Sequence, residues 1–387
     1  MLSVCILGST GSVGTQAIEV SRSLRLPVTG LSTWSNVRLM AEQAHEFGPM
    51  ACAVGDPRMA DEAQNLLGEL SPTPKLLVGT DGLMELASMA EHGIVLNAVV
   101  GSGGVYPTLA AIDAGHDVAL ANKETLVAAG SIVMERARRR GVSIRPVDSE
   151  HSAIWQCLAG QNRPGLARLI LTASGGPFRD RADLSDVTVE QALAHPNWRM
   201  GPKISVDSAT MINKALEVVE AHWLFDASPD IIEIAVHRES IVHSMVEFAD
   251  GSVIAQMGAA DMRTPIQYAL TYPERRSGLA PRLDFAELGA LTFAPPDTQR
   301  FPGVLLGHQA LRLGGLAPAV MSAANEAAVD RFLRGALRFC DIAPVVAEAM
   351  SNSRAGGELS LSDIVQADEW ARQFVQERCG GCMRSLS

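Results

Sequence analysis

Val4-Cys-Ile-Leu-Gly8-Ser-Thr-Gly11-Ser-Val-Gly14 is the stretch that decides the fold. Apolar residues run straight into three glycines, and an amphipathic stretch at residues 16–24 follows. A buried strand turning sharply into a helix has this pattern. Glycines at the turn let the backbone approach a pyrophosphate, and the helix start supplies free N–H groups and a positive dipole end. The spacing is GxxGxxG, so Ser9, Thr10, Gly11, Ser12, Val13 and Gly14 are the candidate cofactor contacts, with a purely structural turn as the alternative.

The same alternation continues outward from the loop. Strand patterns at 2–8, 27–32, 51–54, 76–78, 94–99, 117–121 and 143–146 are separated by helical ones, including 37–47. Such alternation predicts a parallel sheet covered on both faces, an α/β Rossmann-like domain over residues 1–147. The pattern then changes. A strand at 167–172, a long Gly/Pro/Asp/Arg-rich loop at 174–203, a helix over 209–225 and β-like runs at 231–236, 241–248 and 252–257 read as an α+β domain with a partly antiparallel sheet, residues 148–272. Ala249-Asp-Gly251 is the hairpin turn signal. Residues 273–302, rich in proline, read as a linker. Residues 303–387 read as a C-terminal helical bundle with helices at 304–313, 317–333, 342–349 and 361–375.

Composition narrows the function. The 387 residues, 47% apolar and 19% charged, are those of a globular protein of two or three domains. A net charge of −11 repels phosphate backbones, so nucleic-acid binding through a global field is excluded. Six scattered cysteines fit a reducing compartment, and Cys379-Gly-Gly-Cys382 reads as part of a frayed tail. The first Lys or Arg is Arg22, which does not suit an export signal, and the uncharged stretch 93–112 is broken by Asn97, glycines and Pro107. A cytoplasmic location without a membrane span is the expectation.

Three clusters carry chemistry. The loop after the second strand, Gly30-Leu-Ser-Thr-Trp-Ser-Asn36, has no acid for the ribose hydroxyls of NAD. Ser35, Asn36 and Arg38 would instead receive the 2′-phosphate of NADP. Val147-Asp-Ser-Glu-His151 closes the first domain, and on an extended chain Asp148 and Glu150 would point the same way. Two such carboxylates suit an oxygen-ligated divalent cation, with a solvated strand end as the equal alternative. In the stretch from Ser205 to Glu220, Ser208 and Asn213 open a helix, and Lys214, Glu217 and Glu220 recur on one face. That set suits a phosphate and a third metal ligand. A surface ladder of ion pairs is the plainer reading. The intervening loop carries Ser174-Gly-Gly-Pro-Phe178 and His195-Pro-Asn-Trp198, whose exposed Trp suits a lid.

Taken with Leu120-Ala-Asn-Lys-Glu124, Asp261-Met-Arg-Thr-Pro265 and Ala323-Ala-Asn-Glu-Ala327, these segments resemble the 1-deoxy-D-xylulose 5-phosphate reductoisomerase family over nearly the whole chain. The resemblance implies an NADPH-dependent enzyme of the non-mevalonate isoprenoid pathway and a homodimer. It also implies Mg²⁺ or Mn²⁺, and admits Co²⁺, on Asp148, Glu150 and Glu217. It places Ser174, Ser208, Asn213 and Lys214 on the substrate phosphate, Lys123 and Ser149 on the substrate's oxygens, and His195 and Trp198 in the closing loop. Asn122 and Glu124 join the cofactor contacts. Lys123, His195 and Lys214 join the three carboxylates as the catalytic set. Many members carry Gly-Lys-Asn where this chain has Trp34-Ser35-Asn36, which leaves Arg38 as the nearest positive charge. Two other readings stand beside it at this stage: a dehydrogenase of the semialdehyde or homoserine type, and a non-enzymatic nucleotide sensor.

Overall fold

The computed structural model describes residues 3–89, 93–161, 165–194, 200–353 and 359–382. Among them, two sheets form. The first contains β1 (Val4–Leu7), β2 (Val28–Thr33), β3 (Ala51–Val54), β4 (Lys75–Val78), β5 (Ile94–Asn97), β6 (Asp117–Leu120) and β7 (Ile144–Pro146). Every neighbouring pair is parallel, in the order β4-β3-β2-β1-β5-β6-β7. β1, β3 and β5 are buried at every residue, which is why they read as unbroken apolar runs. The strand order reverses between β1 and β5, and there the crevice beyond the strand ends takes ligands in such sheets.

The chain groups into two compact units: 1–125 with 133–152 and 261–281, and 126–132 with 153–260 and 282–387. This differs from the boundaries expected at 147, 272 and 302. Helix Arg263–Thr271 returns to the first unit, where Arg263 pairs with Glu19 of helix Ser12–Leu24 at 3.2 Å. The expected linker begins inside this return. It also contains a short helix, Phe285–Leu288, and a bridge between Ala294 and Val236.

In the second unit, β8 (Leu166–Ala173), β9 (Ile232–Val236), β10 (Val242–Phe248) and β11 (Val253–Met257) lie in the order β11-β10-β8-β9, with β8 and β9 parallel and the rest antiparallel. The inner face, with Leu169, Leu171, Ile232 and Val246, packs on Val218, Ala221 and Phe225 of helix Ile212–Phe225. Ala215, Leu216 and Val219 of that helix share one buried core with Val320, Met321, Ala324 and Phe332 of helix Ala317–Leu333. One continuous core runs from Val127 to Cys379, so the C-terminal helices share it with helix Ile212–Phe225. Cys379 is buried in this core, and helix Leu361–Cys382 continues through it, so the frayed-tail expectation does not hold there. No helix among the described residues is long and apolar enough to cross a membrane.

The expected helix over 209–225 is broken. Helix Pro202–Ala209 ends, Met211 takes a left-handed φ of 62°, and helix Ile212–Phe225 starts afresh. Thr210 explains the break: its hydroxyl bonds Val206 O at 3.0 Å and accepts the Ile212 N–H at 3.4 Å. A second left-handed residue offers a stability test. Exposed Arg25 closes helix Ser12–Leu24 at φ 53°. Arg25→Gly removes a steric cost and should raise stability by about 1 kcal/mol, read from the chemical denaturation midpoint.

Candidate active site

β1 leaves the sheet at Gly8, which has φ 78°. Gly11 is the N-cap of helix Ser12–Leu24, and no side chain caps it. A Cβ on Gly14 would sit 2.6 Å from Ser9 Cα and press into Gly8 O. The helix start can therefore close on the turn only at glycine, and the uncapped N–H groups face outward beside exposed Gly11 and Ser12, with Val13 half-buried. This cradle fits a pyrophosphate. Gly14→Ala should weaken NADPH binding at least tenfold, roughly the cost of a displaced anion contact. It should also lower the melting temperature; unchanged NADPH affinity by calorimetry would remove this loop from the cofactor site.

Ser9 and Thr10 serve the fold through their side chains. The Ser9 hydroxyl is buried, 2.7 Å from Gln43 Oε1 and 3.2 Å from Ser32 O, and Thr10 Oγ1 lies 2.7 Å from Thr33 Oγ1. In the loop after β2, Ser35 is exposed, while Asn36 caps helix Val37–Phe47 by accepting the Leu39 N–H at 3.3 Å. Arg38, the nearest positive charge, is largely exposed, with its Nε 3.3 Å from Glu62. Asn122 caps helix Lys123–Arg140 and donates to Val99 O at 2.7 Å, Gly101 O at 2.9 Å and Glu124 Oε2 at 3.0 Å. Asn122 and Glu124 thus pin the loop after β5 that borders the ligand crevice.

Asp148 and Glu150 come together, though by another route than an extended chain. Asp148 accepts the Ser149 N–H at 3.0 Å on its carboxylate and the Ser152 N–H at 2.8 Å on its carbonyl, so helix Ser149–Leu158 begins at once. An aspartate ahead of a helix is a natural cap, and this overrides strand alternation. Glu150 lies in the first turn, and its carboxylate still falls within 4.8 Å of that of Asp148. Ser149 Oγ donates to Glu150. Lys123 Nζ pairs with Asp148, and His151 Nδ1 lies 3.2 Å from the same carboxylate. Burial alone would raise the Asp148 pKa; the Lys123 ammonium and the His151 ring outweigh it and hold the carboxyl far below the usual range. Asp148 is therefore ionised at neutral pH. His151, fully buried, was given no role by the sequence reading, although its i+3 spacing from Asp148 was the available signal.

The second unit holds the other half of the expected residues. Gly176, at φ 69°, lets the turn after β8 rest on the end of helix Pro202–Ala209; a Cβ there would lie 2.7 Å from Ser208 O. Ser174 and Ser208 are so brought to one place, with Arg179 Nη1 donating to Ser174 O at 2.9 Å. On helix Ile212–Phe225, Lys214 Nζ pairs with Glu217, and Asn213 Nδ2 donates to Glu217 Oε1 at 2.5 Å. Lys214, Glu217 and Glu220 are all buried, so the surface-ladder alternative fails. Below them, buried Asp207 is held by Lys203 Nζ at 2.9 Å and Asn325 Nδ2 at 2.7 Å. Neither Asp207 nor Asn325 was expected as a site support; an amide in an otherwise apolar stretch of helix Ala317–Leu333 was the signal. His195 and Trp198 lie outside the described residues.

Three family models match the chain: 1-deoxy-D-xylulose 5-phosphate reductoisomerase over residues 4–130, its C-terminal domain over 144–225, and the DXP reductoisomerase C-terminal domain over 257–374. The curated 1-deoxy-D-xylulose 5-phosphate reductoisomerase of Pelotomaculum thermopropionicum is 54% identical over 97% of both chains, and that of Heliobacterium modesticaldum is likewise 54% identical over 97% of both. The chain belongs to the 1-deoxy-D-xylulose 5-phosphate reductoisomerase family.

Solved members of the reductoisomerase family share the fold. The Zymomonas mobilis enzyme in complex with NADPH superposes with a TM-score of 0.91 at 40% identity, covering 98% of this chain and 99% of its own. A structure described as DOX-P reductoisomerase with NADPH, fosmidomycin and magnesium gives 0.92 at 37% identity, with 98% of each chain covered. The residues here fit such groups. Asp148 and Glu150, close together in the first unit, and Glu217 in the second are carboxylates, hard oxygen donors of the kind Mg²⁺ or Mn²⁺ takes. The Gly8–Gly14 turn, closed to any Cβ at Gly14, fits a dinucleotide. The nucleotide-sensor alternative has no use for the buried Lys214–Glu217 pair, and the semialdehyde or homoserine dehydrogenase alternative falls with family membership.

Proposed function

We propose that the chain converts 1-deoxy-D-xylulose 5-phosphate to 2-C-methyl-D-erythritol 4-phosphate, using NADPH and Mg²⁺ or Mn²⁺, in the non-mevalonate route to isoprenoid precursors. The observation that carries this reading is the burial of Lys214 and Glu217 on one turn of helix Ile212–Phe225, with Asn213 bonded to the same carboxylate. Phosphate and metal chemistry both need charged groups held out of water, and a chain keeps such groups buried only where they are paired or put to use.

In this reading Ser174, Ser208, Asn213 and Lys214 hold the substrate phosphate. Asp148, Glu150 and Glu217 hold the divalent cation, and Lys123 and Ser149 contact the sugar's oxygens. When bound, the cation polarises the ketone and its neighbouring hydroxyl oxygen, and NADPH supplies the hydride. Lys123 and Lys214 each face a site carboxylate, so each can turn to a substrate oxygen once a cation takes its place. The rearrangement proceeds by retro-aldol cleavage and re-addition, followed by reduction of the resulting aldehyde. The phosphate anchor keeps the cleaved fragment in register for re-addition, and water must be excluded meanwhile. The closing loop with His195 and Trp198 is assigned that task on the family resemblance. A cytoplasmic homodimer completes the reading. It is supported by β11, an edge strand whose Val253 is exposed and which offers unpaired backbone to a second copy.

NADPH oxidation with 1-deoxy-D-xylulose 5-phosphate, with and without Mg²⁺ or Mn²⁺, tests the proposal. Turnover that depends on both substrate and metal is expected. Turnover indifferent to the metal, or none with this sugar phosphate, would overturn it.

A further inference from the structure

Trp34 is the first residue beyond β2, and it is 64% exposed. Its backbone is nonetheless fixed. Gly55 N donates to Thr33 O at 2.8 Å and Asp56 N to Trp34 O at 3.0 Å, so the pairing of β2 with β3 continues past the strand ends. Thr33 Oγ1 also accepts the Asn36 N–H at 3.1 Å and meets Thr10 of the glycine loop at 2.7 Å. The indole is seated on Gly55, where an added Cβ would fall 2.9 Å from its Cζ3. An indole supported on one side by glycine backbone, open on the other and tied to the glycine loop is not explained by packing.

It stands where the adenosine half of a dinucleotide lies in a doubly wound sheet, beside the first turn and at the end of the second strand. The charges there are already engaged. Arg38 reaches Glu62 at 3.3 Å, and Arg58 forks onto Asp56 at 2.9 and 2.6 Å.

We propose that Trp34 is the platform on which the adenine ring of NADPH stacks, so that an aromatic face holds this half of the cofactor. The inference rests on reading the chain as NADPH-dependent. Adenine is common to NADPH, NADH and ADP-ribose, so the contribution of Trp34 is the same for all three and is insensitive to salt.

Calorimetric titration of the full chain with each ligand, in wild type, Trp34→Ala and Trp34→Tyr, tests this. Trp34→Ala should weaken all three by the same factor, about tenfold, as loss of one base–aromatic stack does, and Trp34→Tyr should recover most of it. ADP-ribose should quench part of the indole emission, and that part should be missing from Trp34→Ala. Equal affinities in wild type and Trp34→Ala, or a loss confined to NADPH, would overturn the assignment while leaving NADPH dependence standing. Failure of wild type to bind NADPH would overturn both.

Discussion

Glu150→Gln is expected to lower kcat at least a hundredfold, roughly the loss seen when a metal site is disturbed, while NADPH affinity stays unchanged. The substitution keeps shape and removes one negative charge. Glu150 sits in the first turn of helix Ser149–Leu158, but the cap of that helix is Asp148, so the helix start does not depend on the Glu150 charge. NADPH is assigned to the turn at Gly8–Gly14, at the end of a different strand. Kinetics with Mn²⁺ as the titrant, together with calorimetry for NADPH, separate the two sites. The variant should need far more Mn²⁺ for any residual rate. Undiminished turnover at ordinary metal concentration would sink the assignment of Glu150 as a ligand.

Lys214→Ala should raise KM for the sugar phosphate and lower kcat together, with kcat/KM falling by about two to three orders of magnitude if the ammonium holds the phosphate through reaction. It carries a second expected effect. Lys214 pairs with Glu217, whose side chain is fully buried. Removing one partner of a buried pair leaves an uncompensated charge and costs about 3 kcal/mol or more. Asn213 remains bonded to Glu217, which softens the loss. If Glu217 is a metal ligand, saturating Mg²⁺ should restore part of the lost melting temperature in Lys214→Ala and raise that of wild type less. Unchanged kinetics would remove Lys214 from the phosphate site, and a melting temperature indifferent to Mg²⁺ would separate Glu217 from the metal.

Much of this was legible in the chain. The strand patterns that were read at 2–8 and 143–146 correspond to β1 and β7; β1, buried at every residue, needs only a short apolar run before its turn signal. The hairpin at Ala249-Asp-Gly251 joins β10 and β11 as its turn residues require. Lys214 and Glu217 were less legible. An i, i+3 pair reads the same on a surface helix as on a buried one, and only the apolar residues around the rest of helix Ile212–Phe225 hint at burial. Asp148 was misjudged as extended because strand alternation and helix capping use the same short stretch, and the cap wins through hydrogen bonds to Ser149 and Ser152.

By itself, the sequence determined the strands of the first sheet, the glycine turn and the residue types on offer for chemistry. These follow from periodicity, turn residues and spacing, all of which act within a few residues. Tertiary structure decided what those residues face. Asn325 holds Asp207 across 118 residues of chain, helix Arg263–Thr271 returns to the unit built from the N-terminal third, and one core gathers residues from Val127 to Cys379. Such choices turn on burial and on partners far away in the chain, and no local pattern encodes which distant surface will cover a helix.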